Sequence, residues 1–299
     1  MIKALKEPVL YFIWMFGRIL PKNQFFDGIY LKILYRYKMG KRLNLDSPKT
    51  FNEKLQWIKL YDRKPIYTTM VDKYEVKKYV SDIIGEEYII PTLGVWDKFE
   101  EIDFERLPNQ FVLKCTHDSG GLIIVKDKGN FDINKAKKKI NHCMRRNYYI
   151  NTREWPYKNV KHRIIAEPYL EDSHDESMHD YKFFCFNGEA KYVLVCTNRE
   201  TSLKETFFDT RWNKAPFKRE KHDEDAGIKK PINLDTMIKF ANKLSEKHSF
   251  IRVDFYEIDG KVFFGELTFF PSGGMAGFSP DKWDLNLGEL IKLPDEEKK

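Results

Sequence analysis

Two carboxylates occupy matching places in one predicted β-hairpin, in the stretch IRVDFYEIDGKVFFGELTFFPSGG. Asp254 lies in the outgoing apolar strand, the chain reverses at Asp259-Gly260, and Glu266 lies in the returning strand. Because side chains on paired strands meet across the ladder, we expect the two carboxylates to lie roughly opposite each other. Close carboxylates repel, and Mg²⁺ is a hard cation that one or two carboxylates hold together with phosphates and water. The hairpin therefore predicts a magnesium site.

Arg252 precedes Asp254 by two residues and shares its strand face, so it adds a fixed positive charge within reach of a terminal phosphate. The alternative is an amphipathic hairpin whose carboxylates face solvent beside lysines, as strand carboxylates usually do. The flanking residues leave little polar face for that arrangement: Val253, Phe255, Phe263, Phe264, Leu267 and Phe269. These apolar flanks favour the metal-binding interpretation.

A second candidate site is FVLKCTHDSGG, in which an apolar strand ends in a lysine and a small polar turn. The pattern matches neither the GxxxxGK[ST] phosphate loop nor a GxGxxG fingerprint, so alone it is a weak signal. Lys114 can contact phosphate oxygens, and the backbone N–H groups of Ser119, Gly120 and Gly121 can surround an anion. An ordinary polar hairpin tip is the open alternative.

Between these stretches, RIIAEPYLED is a β-branched strand that runs through Glu167 and Pro168 into an apolar pair. An extended, proline-stiffened segment can present backbone N–H and C=O groups to a purine edge while apolar side chains cover the ring. The following strand, DYKFFCFNGE, carries Asp180 and Lys182 on one face. These two side chains are candidates for contacts with ribose or phosphate.

The elements that must position these residues follow from hydrophobic periodicity. Residues 30–80 carry apolar side chains at helical spacing, and the helix MVDKYEVKKYVSDIIG ends at Gly85. Strand-like runs follow at 110–114, 122–126, 164–169, 181–186, 191–196, 250–256 and 262–267. Hairpin turns are predicted at FNGE and IDGK, and helices at 134–146 and 234–248. Helices packed on mostly antiparallel sheets make an α+β fold.

The composition excludes several functional classes. The chain has 299 residues, 42% of them hydrophobic, and a formal net charge of +7, a mild and dispersed excess that suits anionic ligands rather than nucleic acid. Four cysteines without a CxxC pair indicate a reducing, cytoplasmic setting. The apolar run at 9–16 is too short to span a bilayer, which takes about 20 residues. It is typical of an amphipathic helix that packs on the protein or rests on a membrane surface.

In this order, the lysine-glycine turn, the Glu-Pro-Tyr-Leu segment and the acidic hairpin resemble the ATP-grasp fold. Further motifs, FNEKLQW, FFDTRWNKAPF and FSPDKWDLNLGEL, make the chain similar to the TupA-like branch, associated with bacterial cell-surface polysaccharide and teichuronopeptide biosynthesis. The resemblance extends over residues 51–293. It implies a mainly helical region at 1–90 and two α+β subdomains, at 91–168 and 169–299, that clamp ATP between them.

The resemblance also implies roles for the candidate residues. Lys114 and the turn of Ser119, Gly120 and Gly121 would contact the phosphates. Glu167, Tyr169 and Leu170 would lie at the adenine. Asp180 and Lys182 would contact ribose or phosphate, and Arg252 would contact the transferred group. Asp254 and Glu266 would hold Mg²⁺. The family pattern continues Glu-x-Asn, whereas this chain has Thr268 in the last place, whose hydroxyl is a weaker third ligand.

The implied reaction begins when a carboxylate attacks the γ-phosphate of ATP, and it ends when an amine attacks the resulting acylphosphate. Lys114, Lys182 and Arg252 would act with Mg²⁺ to offset the charge that accumulates between the phosphates and the carboxylate. The carboxylate would be a sugar acid or an amino acid. A sugar kinase or transferase of the same pathway, and an ATP-binding module without turnover, are the alternatives.

Two other stretches have simpler interpretations. EDSHDESMHD contains His174 and His179 among acids, but its spacing matches no zinc pattern and a solvated loop is expected there. The aromatic tract at 206–221 offers Arg211 and Trp212 for an acceptor groove, although ordinary core and surface packing explains it with fewer assumptions.

Overall fold

The computed structural model describes residues 7–172, 179–197 and 202–294. The N-terminal part consists of the helices α1 (Pro8–Ile19), α2 (Gln24–Met39), α3 (Phe51–Tyr61), α4 (Ile66–Val71) and α5 (Glu75–Ile84). This arrangement confirms the mainly helical region predicted before the first strand.

Short-range signals set the ends of these helices. Thr50 Oγ1 accepts a hydrogen bond from the Glu53 N–H, and Glu53 accepts one from the Thr50 N–H, which makes a capping box at the start of α3. Asn23 caps α2 by accepting from the Phe26 N–H at 3.1 Å. Gly40 ends α2 in the left-handed conformation, with φ at 67°. Local capping therefore fixes both ends of α2 and the start of α3.

The smaller sheet consists of β1 (Gly94–Trp96), β2 (Phe111–Cys115), β3 (Leu122–Val125) and β4 (Ile164–Pro168). Neighbouring strands are antiparallel, in the order β1-β4-β2-β3. The helix α6 (Ile133–Met144) covers this sheet and buries Ile140 against strand residues such as Leu113 and Ile164. The smaller sheet thus has a hydrophobic core of its own.

The remaining strands are β5 (Asp180–Phe186), β6 (Glu189–Thr197), β7 (Lys204–Asp209), β8 (Lys218–Arg219), β9 (Phe250–Ile258), β10 (Lys261–Thr268) and β11 (Phe278–Ser279). The larger sheet is antiparallel in the order β10-β9-β5-β6-β7, and β8 pairs with β11. The remaining helices are α7 (Tyr149–Thr152), α8 (Leu234–Ser245) and α9 (Lys282–Glu289). The helix α8 packs across β5, β6 and β9 and covers one face of these central strands.

The predicted strands are confirmed, and their ends differ from the observed ones by at most two residues. Both predicted hairpins form, with positive φ at Asn187-Gly188 and Asp259-Gly260, as two-residue turns between twisted strands require. The sequence does not predict β1, β7, β8 or β11. These strands are short or rich in polar residues, so their pairing depends on neighbouring strands rather than on an alternating pattern of their own.

The N-terminal helices share a core with the larger sheet. Phe51 on α3 packs its ring edge against Phe250 on β9, with 4.9 Å between centroids, and it also contacts Phe184 on β5. The smaller sheet and α6 form a separate cluster. We therefore propose that residues 91–168 and 169–299 are the two lobes of the molecule and that the N-terminal helices belong to the second lobe.

α9 crosses the start of α3 at Gly288, where an added Cβ would lie 2.2 Å from the Lys49 carbonyl oxygen and 2.7 Å from the Phe51 nitrogen. Because backbone atoms cannot move aside, we expect Gly288→Ala to lower the free energy of unfolding by roughly 3 kcal/mol, measured by urea unfolding. Gly227→Ala is the matched control, since its Cβ would meet Asp225 Oδ1 at 3.6 Å, an ordinary contact. Equal effects of both substitutions would contradict the close crossing.

Candidate functional site

A cavity of about 200 Å³ lies between the two sheets, beside the start of α5. The predicted site residues that line it are Lys114, Ser119, Gly121, Glu167, Asp180, Lys182 and Glu266. They come from both sheets and from the turn after β2. Side-chain alternation directs every second residue of a strand to one face, and here those faces meet at the cavity. The fold therefore brings together candidates that are far apart in the sequence.

A β-bulge at Gly265 decides which residue faces Asp254. Phe264 pairs with Phe255, so an uninterrupted register would place Gly265 opposite Asp254. The register shifts after Phe264, and Glu266 pairs directly with Asp254 instead. A Cβ at position 265 would lie 3.1 Å from the Asp254 carbonyl oxygen, a close approach that glycine avoids. The bulge therefore places the Glu266 carboxylate opposite the Asp254 carboxylate.

Arg252 joins the two carboxylates. Its Nε and Nη2 donate to Asp254 Oδ1 and Oδ2, both at 2.7 Å. Nη2 also donates to Glu266 Oε1 at 2.8 Å and to Thr268 Oγ1 at 3.0 Å. Lys182 Nζ donates to Asp254 Oδ2 at 2.6 Å. Because Asp254 is only 1% exposed, these contacts supply the compensating charge that a buried carboxylate requires.

Burial and charge act in opposite directions on the pKa values of these groups. Burial raises the pKa of Asp254, and Arg252 and Lys182 oppose that rise. Burial lowers the pKa of Lys182, but the carboxylates of Asp254 and Asp180 outweigh it and hold the value above the ordinary one. Burial also lowers the pKa of Arg252, but the carboxylates of Asp254 and Glu266 outweigh burial and raise the pKa above its ordinary value. Both basic groups therefore stay protonated at neutral pH.

The acidic hairpin offers the hard oxygen donors that Mg²⁺ prefers. The Thr268 hydroxyl lies 3.4 Å from Glu266 Oε1, and Glu266 pairs with Asp254 on the neighbouring strand. The Glu266 side chain is 42% exposed, so an ion and bound phosphates can reach it. Within the described ranges, no group of three or more His, Cys, Asp or Glu residues could hold a metal ion. The carboxylates of Asp254 and Glu266 are nevertheless donors of the kind that Mg²⁺ takes together with phosphates and water.

Glu167 is held by two lysines on the other side of the cavity. Its Oε1 contacts Lys77 Nζ at 2.5 Å, and its Oε2 pairs with Lys114. Burial raises the pKa of Glu167, but the two lysines outweigh burial and hold it below the ordinary value. Lys77 also donates to the Ile90 carbonyl and to Thr92 Oγ1, both at 2.8 Å. No sequence pattern predicts Lys77, because in MVDKYEVKKYV it resembles an ordinary surface lysine of an amphipathic helix.

Two side chains, one from the turn and one from the segment before α5, hold the turn after β2 in place through hydrogen bonds. Asp118 Oδ1 accepts from the Gly120 N–H at 3.0 Å, and Lys73 Nζ donates to the Asp118 carbonyl at 2.8 Å. A Cβ on Gly121 would lie 2.5 Å from Cys115 Sγ, so the turn packs closely on its strand. In this structure, one of the backbone N–H groups predicted to surround an anion thus donates within the turn itself.

Tyr169 and Leu170 follow β4 and are half-buried. Among the residues that the structure describes, they are not part of the cavity wall. Lys126 Nζ lies 5.5 Å from the centre of the Tyr169 ring, a cation-π distance. A role for this pair at an adenine ring stays a prediction.

The two stretches given simpler interpretations are described to different extents, because residues 173–178 of EDSHDESMHD lie outside the described residues. His174 lies outside the described residues, and His179 contacts the Tyr181 ring edge-on. Trp212 stacks on Phe208 with 4.4 Å between centroids and 5° between planes. The aromatic tract therefore packs in the way that the simpler interpretation expects, while Arg211 is exposed.

Buried polar side chains of α3 hold the loop that follows β10. Gln56 Nε2 donates to the Gly274 carbonyl at 2.7 Å, and Lys59 Nζ donates to the Gly273 carbonyl at 2.7 Å. Together with Asn52 they recur at helical spacing, so one stripe of α3 is both polar and buried. The motif FNEKLQW therefore has a structural function, because it positions the loop beside the acidic hairpin.

Two histidine rings support the base of the turn after β2. His117 is fully buried and stacks on His162, with 3.6 Å between centroids and 6° between planes. His117 Nε2 donates to the Cys143 carbonyl at 3.2 Å, and His162 Nδ1 donates to the Met144 carbonyl at 2.8 Å. Burial, reinforced by His162, lowers the pKa of His117 to about 4. The ring is therefore neutral at pH 7.

Comparison with protein families gives a match over most of the chain. A family model described as TupA-like ATPgrasp matches residues 53–292. No curated protein sequence matches significantly.

Solved structures similar to this chain include D-alanine-D-alanine ligase from Helicobacter pylori, with 14% identity, a TM-score of 0.43, and coverage of 82% of this chain and 70% of that one. The corresponding ligase from Bacillus anthracis, complexed with ATP, has 16% identity, a TM-score of 0.44, and coverage of 75% and 65%. N5-carboxyaminoimidazole synthase from Aspergillus clavatus has 12% identity, a TM-score of 0.39, and coverage of 67% and 44%. The chain thus spans between 44% and 70% of the length of these enzymes.

Protonation of His117 should destabilise the folded protein. Its pKa is about 4 in the folded chain against an ordinary 6.5, so the unfolded chain binds the extra proton between these values. Stability therefore falls as the pH drops through this window, by about 3 kcal/mol for this group. Urea unfolding near pH 7 and near pH 4.5 measures the loss, and His117→Gln should reduce it. His142→Gln, at an exposed position, is the control. An unchanged loss in His117→Gln would contradict the assignment.

Proposed function

The chain belongs to the TupA-like ATP-grasp family, and we propose that it is an ATP- and Mg²⁺-dependent ligase that joins a carboxylate to an amine through an acylphosphate. The carboxylate would belong to a sugar acid or an amino acid, in the biosynthesis of a bacterial surface polysaccharide. One observation carries the proposal: Glu266, which lines the cavity together with Lys114 and Lys182, pairs directly with the buried Asp254. Such a site can hold a metal ion and the phosphates of a nucleotide together.

The lysines that contact Glu167 are suited to a triphosphate. A triphosphate carries more negative charge than one carboxylate, so it would be a stronger acceptor for Lys114 and Lys77. We assign both lysines and the turn after β2 to the phosphates, Glu167 with Tyr169 and Leu170 to the adenine, and Asp180 to the ribose. The cavity is smaller than the roughly 300 Å³ at which ligand pockets begin. The proposal therefore requires the two sheets, which have separate cores, to move apart when a nucleotide binds.

The acidic hairpin supplies the proposed metal ligands and one of the two proposed catalytic groups. Asp254 and Glu266, with the Thr268 hydroxyl, would hold Mg²⁺, which when bound neutralises phosphate charge and orients the terminal phosphate. Arg252 and Lys182 are the proposed catalytic groups. Both keep a pKa above the ordinary value, so each presents a permanent positive charge to the transferred group.

The proposed reaction needs charge stabilisation and no covalent step at the protein. The substrate carboxylate attacks the γ-phosphorus, the bond from that phosphorus to the bridging oxygen breaks, and ADP leaves. The amine nitrogen then attacks the acyl carbon, phosphate leaves, and the nitrogen loses a proton. Cys115 takes no part, because it is buried and burial raises the pKa of its thiol to about 12.

A product assay separates this proposal from the alternatives. The protein is incubated with ATP, Mg²⁺, candidate uronic acids and amino acids, and the ADP, phosphate and organic products are quantified. Formation of ADP and phosphate that requires both substrates indicates a ligase. A phosphorylated sugar indicates a kinase, and ATP binding without turnover indicates a binding module. Either result would overturn the ligase proposal.

Glu266→Gln should weaken the Mg²⁺ dependence of ATP binding without unfolding the protein, since the side chain is partly exposed. A neutral amide is a poorer ligand than a carboxylate, so the Mg²⁺ concentration for half-maximal enhancement of ATP binding should rise at least about tenfold. Isothermal titration with and without Mg²⁺ measures it. Glu189→Gln, an exposed acid on the same sheet, should behave like the wild type. An unchanged Mg²⁺ requirement would argue against the metal site.

We also propose that α1 and α2 rest on the cytoplasmic face of a membrane. Large apolar side chains are exposed on both helices, among them Phe12 at 71%, Ile19 at 77% and Phe25 at 71% exposure. The basic residues Arg18 and Lys32 occur on the same helices and are exposed, which suits anionic lipid headgroups. No helix in the described part of the chain is long and apolar enough to cross a bilayer.

Sedimentation with lipid vesicles tests the membrane contact. Wild-type protein should bind vesicles rich in phosphatidylglycerol, and the double substitution Phe12→Ser with Ile19→Ser should weaken binding at least about tenfold, because buried apolar area supplies much of the affinity. Ile232→Ser removes an even more exposed side chain, at 87%, from another part of the protein and serves as the control. Wild-type binding by the double variant would refute the proposal.

A further inference from the structure

A second cavity lies between α2 and α3, and its lining residues differ from those of the cavity between the two sheets. Its volume is about 610 Å³, within the range of roughly 300–1,000 Å³ that small-molecule sites occupy. Apolar side chains from both helices line it, among them Phe25, Ile29 and Leu60, and Lys32 adds a positive charge. We call this cavity the α2–α3 groove.

Gly28, in the interior of α2, leaves one wall of the groove without a side chain. Beyond the neighbouring backbone, a Cβ built there would meet a single described atom within 4 Å, Leu60 Cδ1 at 3.8 Å, which is an ordinary contact. By contrast, a Cβ on Gly17 of α1 would lie 2.5 Å from the Tyr30 ring, so helix packing requires that glycine. Glycine destabilises a helix interior relative to alanine. The packing of the described residues does not require glycine at position 28, whereas a ligand that lies against the helix backbone would.

The groove is continuous with an exposed apolar stripe of α2. The stripe consists of residues that recur every four positions, Phe25, Ile29, Ile33 and Tyr37, and all of them are exposed. Phe25 and Ile29 also line the groove, so the stripe and the groove form one apolar surface. Exposed apolar surfaces of this kind mark contacts with proteins or membranes. The groove is therefore part of the surface that is proposed above to rest on a membrane.

The exposed charged residues of α1 and α2 are all basic: Arg18, Lys32, Arg36 and Lys38. The one acid of these two helices, Asp27, is fully buried and forms ion pairs with Arg63 at 2.8 Å and with Arg153 at 3.1 Å. Because Lys32 also lines the groove, a cation lies beside its apolar wall. This combination matches a hydrocarbon chain that carries an anionic headgroup.

A second copy of the chain fits the groove less well than a lipid. In a two-fold dimer the same patch of both copies meets, so the basic side chains of α2 would face their own counterparts. Like charges that meet at an interface are unfavourable, and Asp27 is already paired with two arginines. Charge therefore favours an anionic lipid over self-association.

We propose that the α2–α3 groove binds one hydrocarbon chain of an anionic phospholipid and that Lys32 pairs with its headgroup phosphate. The chain would lie against the bare backbone at Gly28, between Phe25 and Leu60. The inference rests on the membrane contact proposed above and deepens it, because the groove would hold a single lipid at a defined site. A lipid held in this way would fix the orientation of the protein on the bilayer.

Monomeric lysolipids separate binding in the groove from adsorption to a bilayer. Lauroyl lysophosphatidylglycerol, kept below the concentration at which micelles form, is titrated into the full chain by isothermal titration calorimetry. Lauroyl lysophosphatidylcholine carries the same chain on a zwitterionic headgroup, and inorganic phosphate carries the charge without the chain. We expect saturable one-to-one binding of the anionic lysolipid and at least about tenfold weaker binding of the other two probes.

Gly28→Leu fills the groove and should weaken binding of the anionic lysolipid at least about tenfold, because leucine occupies the space of the chain. It should not lower the free energy of unfolding, since a Cβ at this position meets no close contact and leucine is a better helix former than glycine. Gly227→Leu, at an exposed loop position, is the matched control. Lys32→Gln should remove the preference for the anionic over the zwitterionic lysolipid.

Wild-type lysolipid affinity in Gly28→Leu, or equal affinity of the wild type for both lysolipids, overturns the groove site. Either result leaves the membrane contact to the vesicle experiment with Phe12→Ser and Ile19→Ser, whose positions do not line the groove, and it leaves the ligase proposal to the product assay. A dimer that Gly28→Leu separates, seen by analytical ultracentrifugation, assigns the groove to a second copy and also overturns the proposal. If Gly28→Leu does not fold, Phe25→Ser takes its place, and unchanged lysolipid binding by that variant overturns the site.

Discussion

The bridge that Arg252 makes between Asp254 and Glu266 is the interaction on which the acidic hairpin depends. Carboxylates on directly paired residues repel each other, and Asp254 is almost fully buried. The guanidinium donates to both, at 2.7 Å and 2.8 Å, and Lys182 adds a further contact to Asp254. Without these cations the hairpin would contain an uncompensated buried charge, which costs several kcal/mol. The strand can carry an acid at its centre because basic groups share its face.

The opposite wall of the cavity follows the same rule, with Glu167 between Lys114 and Lys77. On both walls, acids and bases neutralise each other in pairs. In the proposed function, a nucleotide and its metal ion would exchange partners with these pairs: the phosphates would take the cations, and the metal ion would take the carboxylates. Charged groups that are already in place reorganise little when a ligand arrives, which is how a preorganised site stabilises transferred charge.

The N-terminal helices are part of the scaffold of the site. They share a core with the larger sheet, and the polar stripe of α3, including Gln56 and Lys59, holds the loop after the acidic hairpin. This contact explains why FNEKLQW and FFPSGG occur together among the motifs of the chain. Each motif supplies one side of the same buried hydrogen-bonded interface, so neither is complete alone.

The sequence by itself determined the α+β class, the main strands, both hairpin turns and most of the charged residues around the cavity, because alternation, capping and turn chemistry act between near neighbours. Tertiary structure decided which charges meet. Without the bulge at Gly265, Glu266 would pair with Val253 and its side chain would lie on the other face of the sheet. The bulge shifts the register by one residue and pairs Glu266 with Asp254. Lys77 reaches Glu167 through packing between segments far apart in the chain, and no local pattern encodes such a contact, since burial and pairing depend on the whole fold.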